Sequence, residues 1–121
     1  MDSQNSGSVI DMRLVPSRKV LEEFRLTYEL KGAQKAVDML SRYYRIRRMK
    51  IVVDGRKVGT SYDACYYDYV AYFKKRSLNK RNVLHEYFHH LAHVYDLDLS
   101  SSKEEQEANQ YVKRVLYRKR L

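Results

Sequence analysis

His85-Glu86-Tyr87-Phe88-His89 decides how this chain is read, because two histidines four residues apart on a helix project from one face toward a common point. Their Cβ atoms then stand about 5–6 Å apart. Both imidazoles can reach one zinc ion at the ordinary Zn–N distance of about 2.0–2.1 Å. Glu86 lies beside that face, placed to take a proton from a water the metal activates and not to bind the metal itself. The pentapeptide also arises by chance in surface helices, so its surroundings matter. Leu84, Phe88, Leu91 and Ala92 recur at helical spacing around the histidines, and Asn79 has the side chain of an N-cap for a helix running to about Tyr95.

A catalytic zinc needs a third protein ligand and an open fourth position, and the third ligand separates the zinc-peptidase classes. A metzincin carries Gly and His three and six residues beyond the second histidine, where this chain has Ala92 and Tyr95. That class is excluded. His93 continues the stripe of His85 and His89 but lies about 12 Å of helix rise from His85, too far to share one tetrahedral ion. His90 points roughly a quarter-turn away. Both are read as structural or supporting residues.

A carboxylate from a following helix remains, and Ser102-Lys103-Glu104-Glu105-Gln106-Glu107-Ala108-Asn109 offers three. Glu105 is favoured, because Asn109 lies one turn later on the same face, where its amide can hydrogen-bond a ligand histidine and fix the ring. Glu104 and Glu107 have Ala108 and Tyr111 at that offset, and neither supplies an amide. Ser102 with Glu105 also reads as an S-x-x-E capping box, which needs no metal.

With these residues in view, the chain resembles the gluzincin-type zinc metallopeptidases, and within them the single-domain minigluzincins and the repressor-cleaving ImmA/IrrE peptidases. Val83-Leu84-His85-Glu86-Tyr87-Phe88-His89-His90-Leu91 looks like the H-E-x-x-H helix of those families. Glu105-Gln106-Glu107-Ala108-Asn109-Gln110-Tyr111-Val112 looks like their E-x-x-A-N glutamate helix. The two motifs lie in the same order and span residues 83–112. The resemblance implies His85, His89 and Glu105 as ligands of Zn2+, and Glu86 as general base and acid. The side chain that stabilises the transition state in those families has no recognisable motif here, and their substrate preferences do not transfer. In those families the strand just before the metal helix forms the upper rim of the cleft and pairs with the substrate backbone.

At 121 residues the chain has room for one core and no separate substrate domain. So small a domain leaves little surface for a deep specificity cleft, which suits an activity that is latent or confined to one protein partner. A hydrophobic share of 44% argues against wholesale disorder, and Gly 4 with Pro 1 argues against low complexity. No apolar run approaches a membrane span, and the N-terminus lacks the zones of a signal peptide, so a soluble, cytoplasmic protein is expected. The single Cys65 agrees with a reducing compartment and is read as a small core residue in a strand.

The net charge is +9, with bases gathered at Arg45, Arg47, Arg48 and Lys50, at Lys74, Lys75, Arg76, Lys80 and Arg81, and at Lys113, Arg114, Arg118, Lys119 and Arg120. Interleaved with Tyr43, Tyr44, Tyr72 and Tyr117, such clusters can follow a phosphate backbone and stack on bases. They equally describe a solvated surface, and no recognition helix or RNA-binding signature accompanies them. A non-catalytic nucleic-acid-binding regulator is therefore the alternative to a peptidase. Twelve tyrosines suit half-buried packing with a wet hydroxyl, and spacing does not choose between Tyr95 and Tyr111 for an approach to the metal.

Residues 1–15 lack steady periodicity and read as a flexible arm. After Pro16 and Ser17, the recurrence of Val20, Leu21, Phe24 and Tyr28 predicts an amphipathic helix ending near Gly32. Leu26 and Leu30 on its other side suggest cover on two faces. A second helix presents Ala36, Val37, Leu40, Tyr43 and Tyr44 to the core. Strand signals follow: Ile51-Val52-Val53 running into Asp54-Gly55, a run from Gly59 through Tyr66, and Tyr69-Val70-Ala71-Tyr72-Phe73. An exposed edge of this sheet can hold an extended peptide, or be capped by charge against aggregation. The expected fold is α+β, a zincin-like single domain over residues 16–121. Its N-terminal helices back a small three-stranded mixed sheet, followed by the active-site helix and a C-terminal glutamate helix.

Overall fold

Ser17 opens the first helix by accepting a hydrogen bond from the Val20 N–H at 3.4 Å, which satisfies one of the amide donors every helix start leaves over. The computed structural model describes residues 14–117. The first thirteen residues of the expected arm lie outside the described residues, as do Arg118, Lys119 and Arg120 of the last basic cluster. Leu14 is tied down, its carbonyl accepting from the Tyr44 hydroxyl. Helix α1 (Arg18–Lys31) stops at Gly32, whose φ of 92° lets the chain turn at once into α2 (Ala33–Tyr44).

The apolar stripe of α1 buries Leu21 and Phe24, while Leu26 and Leu30 remain 60% and 72% exposed. The expected second covered face is absent among the described residues. Helix α2 buries Ala36, Val37 and Leu40 as predicted, together with Met39 and Ser41. Tyr43, predicted to face the core, is 44% exposed and lays its ring edge-on against Tyr44.

Three short strands follow: β1 (Lys50–Val53), β2 (Ala64–Tyr67) and β3 (Val70–Phe73). Asp54-Gly55 makes a turn, as its residue types predict: Asp54 caps a single 3₁₀ turn, Gly55–Lys57, its carboxylate accepting from the Arg56 N–H. The hairpin comes later, where Asp68 and Tyr69 at φ 51° and 71° form a two-residue turn between β2 and β3. The sheet order is β1-β3-β2, with β1 parallel and β2 antiparallel to β3. β3, the strand just before the metal-motif helix, is therefore central and presents no free edge, contrary to the rim position implied for it.

The two edges differ. On β1, the outward Ile51 N–H is taken by Gln34 Oε1 at 2.8 Å, so α2 closes that side. On β2, the Lys74 N–H bonds the Asp63 carbonyl, and by antiparallel alternation the main-chain groups of Ala64 and Tyr66 point outward.

Helix α3 (Lys80–Val94) begins at Asn79, whose Oδ1 accepts from the Asn82 N–H at 2.8 Å, and ends at Tyr95. Asp96 then takes φ 52°, with Leu97 N–H bonded to Ala92 O and Asp96 N–H to His93 O, a Schellman stop that turns the chain back. Helix α4 (Ser101–Leu116) returns beside α3. One core joins all the elements: Phe24, Leu40, Phe73, Leu84, Phe88 and Val115 are each at most 1% exposed. The molecule is thus an α+β domain with four helices and a three-stranded mixed sheet among the described residues. No helix among them is long and apolar enough to cross a membrane.

Candidate active site

The N-cap at Asn79 fixes the phase of α3, so that Val83, Leu84, Tyr87, Phe88 and Leu91 enter the core while His85 and His89 face α4 across a cleft. On α4 the N-cap is Ser100, which accepts from the Lys103 N–H at 3.2 Å. Ser102 lies inside the helix, so the capping-box alternative for Ser102 and Glu105 is not realised. The Glu105 carboxylate is turned to the histidines instead.

Glu105 Oε1 stands 3.0 Å from His85 Nε2, and Oε2 stands 2.8 Å from His89 Nε2. One donor atom from each of His85, His89 and Glu105 lies within 4.8 Å of the others, a set geometrically able to hold a metal ion. Two imidazoles and one carboxylate, with a fourth side open to the cleft, fit a borderline-soft divalent cation. Of the other carboxylates, Glu107 is buried on another face, 3.2 Å from Lys103 Nζ. Glu104 Oε2 lies 2.5 Å from His89 Nδ1, on the outer side of that ring. Asn109, one turn after Glu105 on α4, lines the same cleft as His85.

Glu86 is 7% exposed and lines the same cleft. Burial pushes its carboxyl up to about 7, with His89 pulling down and Glu105 adding to the rise. A carboxyl poised there exchanges protons readily near neutral pH. Burial also holds His85 below the ordinary histidine value, against the opposing pull of Glu105, which favours the neutral ring that a metal requires.

The remaining histidines are structural. His90 Nε2–H donates to the Arg47 carbonyl at 2.7 Å, so its Nδ1 accepts from the Tyr66 hydroxyl at 2.9 Å. The Tyr66 oxygen in turn accepts from the Tyr69 N–H at 3.1 Å and from His93 Nδ1–H at 2.8 Å. One hydroxyl on β2 thus ties the strand, its hairpin and α3 together. Nothing in the spacing of Tyr66 announces this, because the partners lie on other elements.

The cleft, open to solvent, has a volume of about 810 Å³, and β2 forms one wall through Ala64, Cys65 and Tyr66. Cys65 is therefore a half-buried cleft residue and not part of the core. Burial and the neighbouring Glu86 push its thiol up, which keeps it a poor nucleophile. Neither Tyr95 nor Tyr111 lines the cleft: Tyr111 is buried, its hydroxyl 3.0 Å from that of Tyr44, and Tyr95 is exposed at the end of α3. In the first basic cluster, Arg47 stacks over the Tyr69 ring at 3.9 Å and Arg48 pairs with Asp38 at 3.6 Å, so both bases serve the fold. Among family models, curated proteins and solved structures, none matches this chain.

Proposed function

We propose that this chain is a zinc-dependent metallopeptidase of the gluzincin type, a zincin-like domain that hydrolyses a peptide bond in a protein or peptide substrate in the cytoplasm. The observation that carries the reading is Glu105 reaching both Nε2 atoms from α4, at 3.0 and 2.8 Å, with the buried Glu86 beside them in one cleft. His85, His89 and Glu105 would hold the ion, and Asn109 would keep the His85 ring in place. Bound zinc would supply Lewis-acid polarisation of the scissile carbonyl and acidify the attacking water.

Every other step falls to the chain's own groups. The Glu86 carboxylate takes the proton from the water as it attacks and then delivers it to the leaving amide nitrogen, so the residue ends as it began. The outward main-chain groups of Ala64 and Tyr66 offer an extended substrate a fourth strand along the cleft wall, and such bonds hold a peptide whatever its side chains. The roughly neutral set point of Glu86 suits both halves of the proton cycle.

The test is Glu86→Gln. The variant should retain one zinc per chain by elemental analysis and lose cleavage of a mixed peptide library followed by mass spectrometry. Removal of a general base of this kind costs about 10²–10⁴-fold in rate. Undiminished cleavage, or a wild-type protein without stoichiometric zinc, overturns the reading.

A further inference from the structure

His89 is gripped at both ring nitrogens by consecutive residues of α4. Glu105 Oε2 lies 2.8 Å from Nε2, on the side where the three donor atoms converge. Glu104 Oε2 lies 2.5 Å from Nδ1, on the opposite edge of the ring. Among the described residues, the carboxylate against His85 is that of Glu105 alone, at 3.0 Å from Nε2. The two histidines are therefore held unequally.

We propose that Glu104 is a positioning residue for the metal site, acting through His89 and not as a ligand. This rests on the metallopeptidase reading above. A carboxylate on Nδ1 fixes the tautomer with hydrogen on that nitrogen, which leaves the Nε2 lone pair aimed at the ion. It also locks the ring against rotation and strengthens its donation to the metal.

Local structure explains why a carboxylate can sit there. Glu104 belongs to the first turn of α4, directly after the Ser100 N-cap, where the positive end of the helix favours an acidic side chain. Its backbone N–H bonds the Ser100 carbonyl at 2.8 Å, which anchors the base of the side chain. Glu104 is only 28% exposed and His89 13%, so water competes weakly for the bond. Consecutive helix positions diverge by about 100°. Glu104 and Glu105 can consequently address opposite edges of one ring, whereas two carboxylates a turn apart would compete for the same edge.

The experiment compares the full chain with Glu104→Gln, Glu104→Ala and Glu105→Ala, each checked for an unchanged helical spectrum. Zinc affinity is measured by competition with a chromophoric chelator, and the His89 Nδ1–H proton is sought by NMR in the zinc-loaded protein. Glu104→Ala should weaken zinc binding about 10–100-fold and lose the downfield, slowly exchanging ring proton. Glu104→Gln, which keeps an oxygen acceptor of similar shape, should fall between it and wild type. Glu105→Ala should lose stoichiometric zinc outright. Zinc bound by both Glu104 variants as tightly as by wild type, with the ring proton unchanged, overturns this inference and leaves the metal site standing. A wild-type chain that binds no zinc overturns both.

Discussion

The Tyr66 hydroxyl stands 2.9 Å from His90 Nδ1, so the strand that walls the cleft is bonded to the residue next to His89 on the metal-motif helix. The same oxygen accepts from the Tyr69 N–H and from His93, so the wall, the hairpin and the helix are joined at one atom. His90 and His93, outside the H-E-x-x-H pentapeptide, therefore tie the cleft wall to the helix that carries His85 and His89.

Tyr66→Phe should loosen that wall. The change leaves the Tyr69 N–H and two imidazole nitrogens without their partner, at a cost of about 1–3 kcal/mol for a buried polar group left unpaired. A lower urea midpoint, with faster amide exchange at residues 64–67, is the expected result. An unchanged midpoint would show that the hydroxyl holds nothing.

Glu86→Gln should stabilise the metal-free protein above neutral pH. The carboxyl is raised from 4.5 to about 7 by burial, so between those values the folded state keeps a proton that the unfolded state has released. Wild-type stability from this group is fully present below 4.5 and is lost as pH rises through about 7, with His89, Glu105 and Cys65 the ionisable neighbours that share the field. Glutamine does not titrate, so its advantage should reach at most about 3 kcal/mol near pH 8 and vanish below pH 4. Thermal melts of both metal-free proteins across that range check the sign. A wild-type protein that gains stability relative to the variant as pH rises would refute it.

Chelation should lower the melting temperature of the zinc-loaded protein. Ligand present at about 1,000 times its dissociation constant contributes about 4 kcal/mol to the folded state. Calorimetry with and without chelator should show the shift in wild type and none in His85→Ala. A shift of equal size in both would place the ion elsewhere.

Gly32→Ala tests the junction of α1 and α2. At φ 92° an added Cβ meets no atom within 4 Å, so the loss is purely conformational. It should amount to about 1–3 kcal/mol, read as a lower melting temperature without change in the helical spectrum. No loss at all would mean that the backbone relaxes away from its positive-φ conformation.

Much of this molecule is legible along the chain. The α3 boundaries follow from Asn79 and the apolar spacing around His85, and the α1 boundaries from Ser17 and Gly32, because caps and helical periodicity are interactions over three or four residues. Glu105 and Asn109 can be chosen for the same reason, since one turn of helix relates them. Asp54-Gly55 marks a turn for a like reason, since the Asp54 side chain bonds the backbone N–H two residues on. Leu26, Leu30 and Tyr43 mislead because an apolar side chain states what it would gain from cover, and not whether a neighbour is there to supply it.

The sequence by itself determined which side chains share a helix face, and hence that His85 and His89 converge. Tertiary structure alone decided that β2 and not β3 walls the cleft, that Tyr66 clasps His90 and His93, and that Glu104 reaches the outer edge of His89. Strand order and contacts between elements depend on how separate segments pack, and no spacing within one segment encodes them.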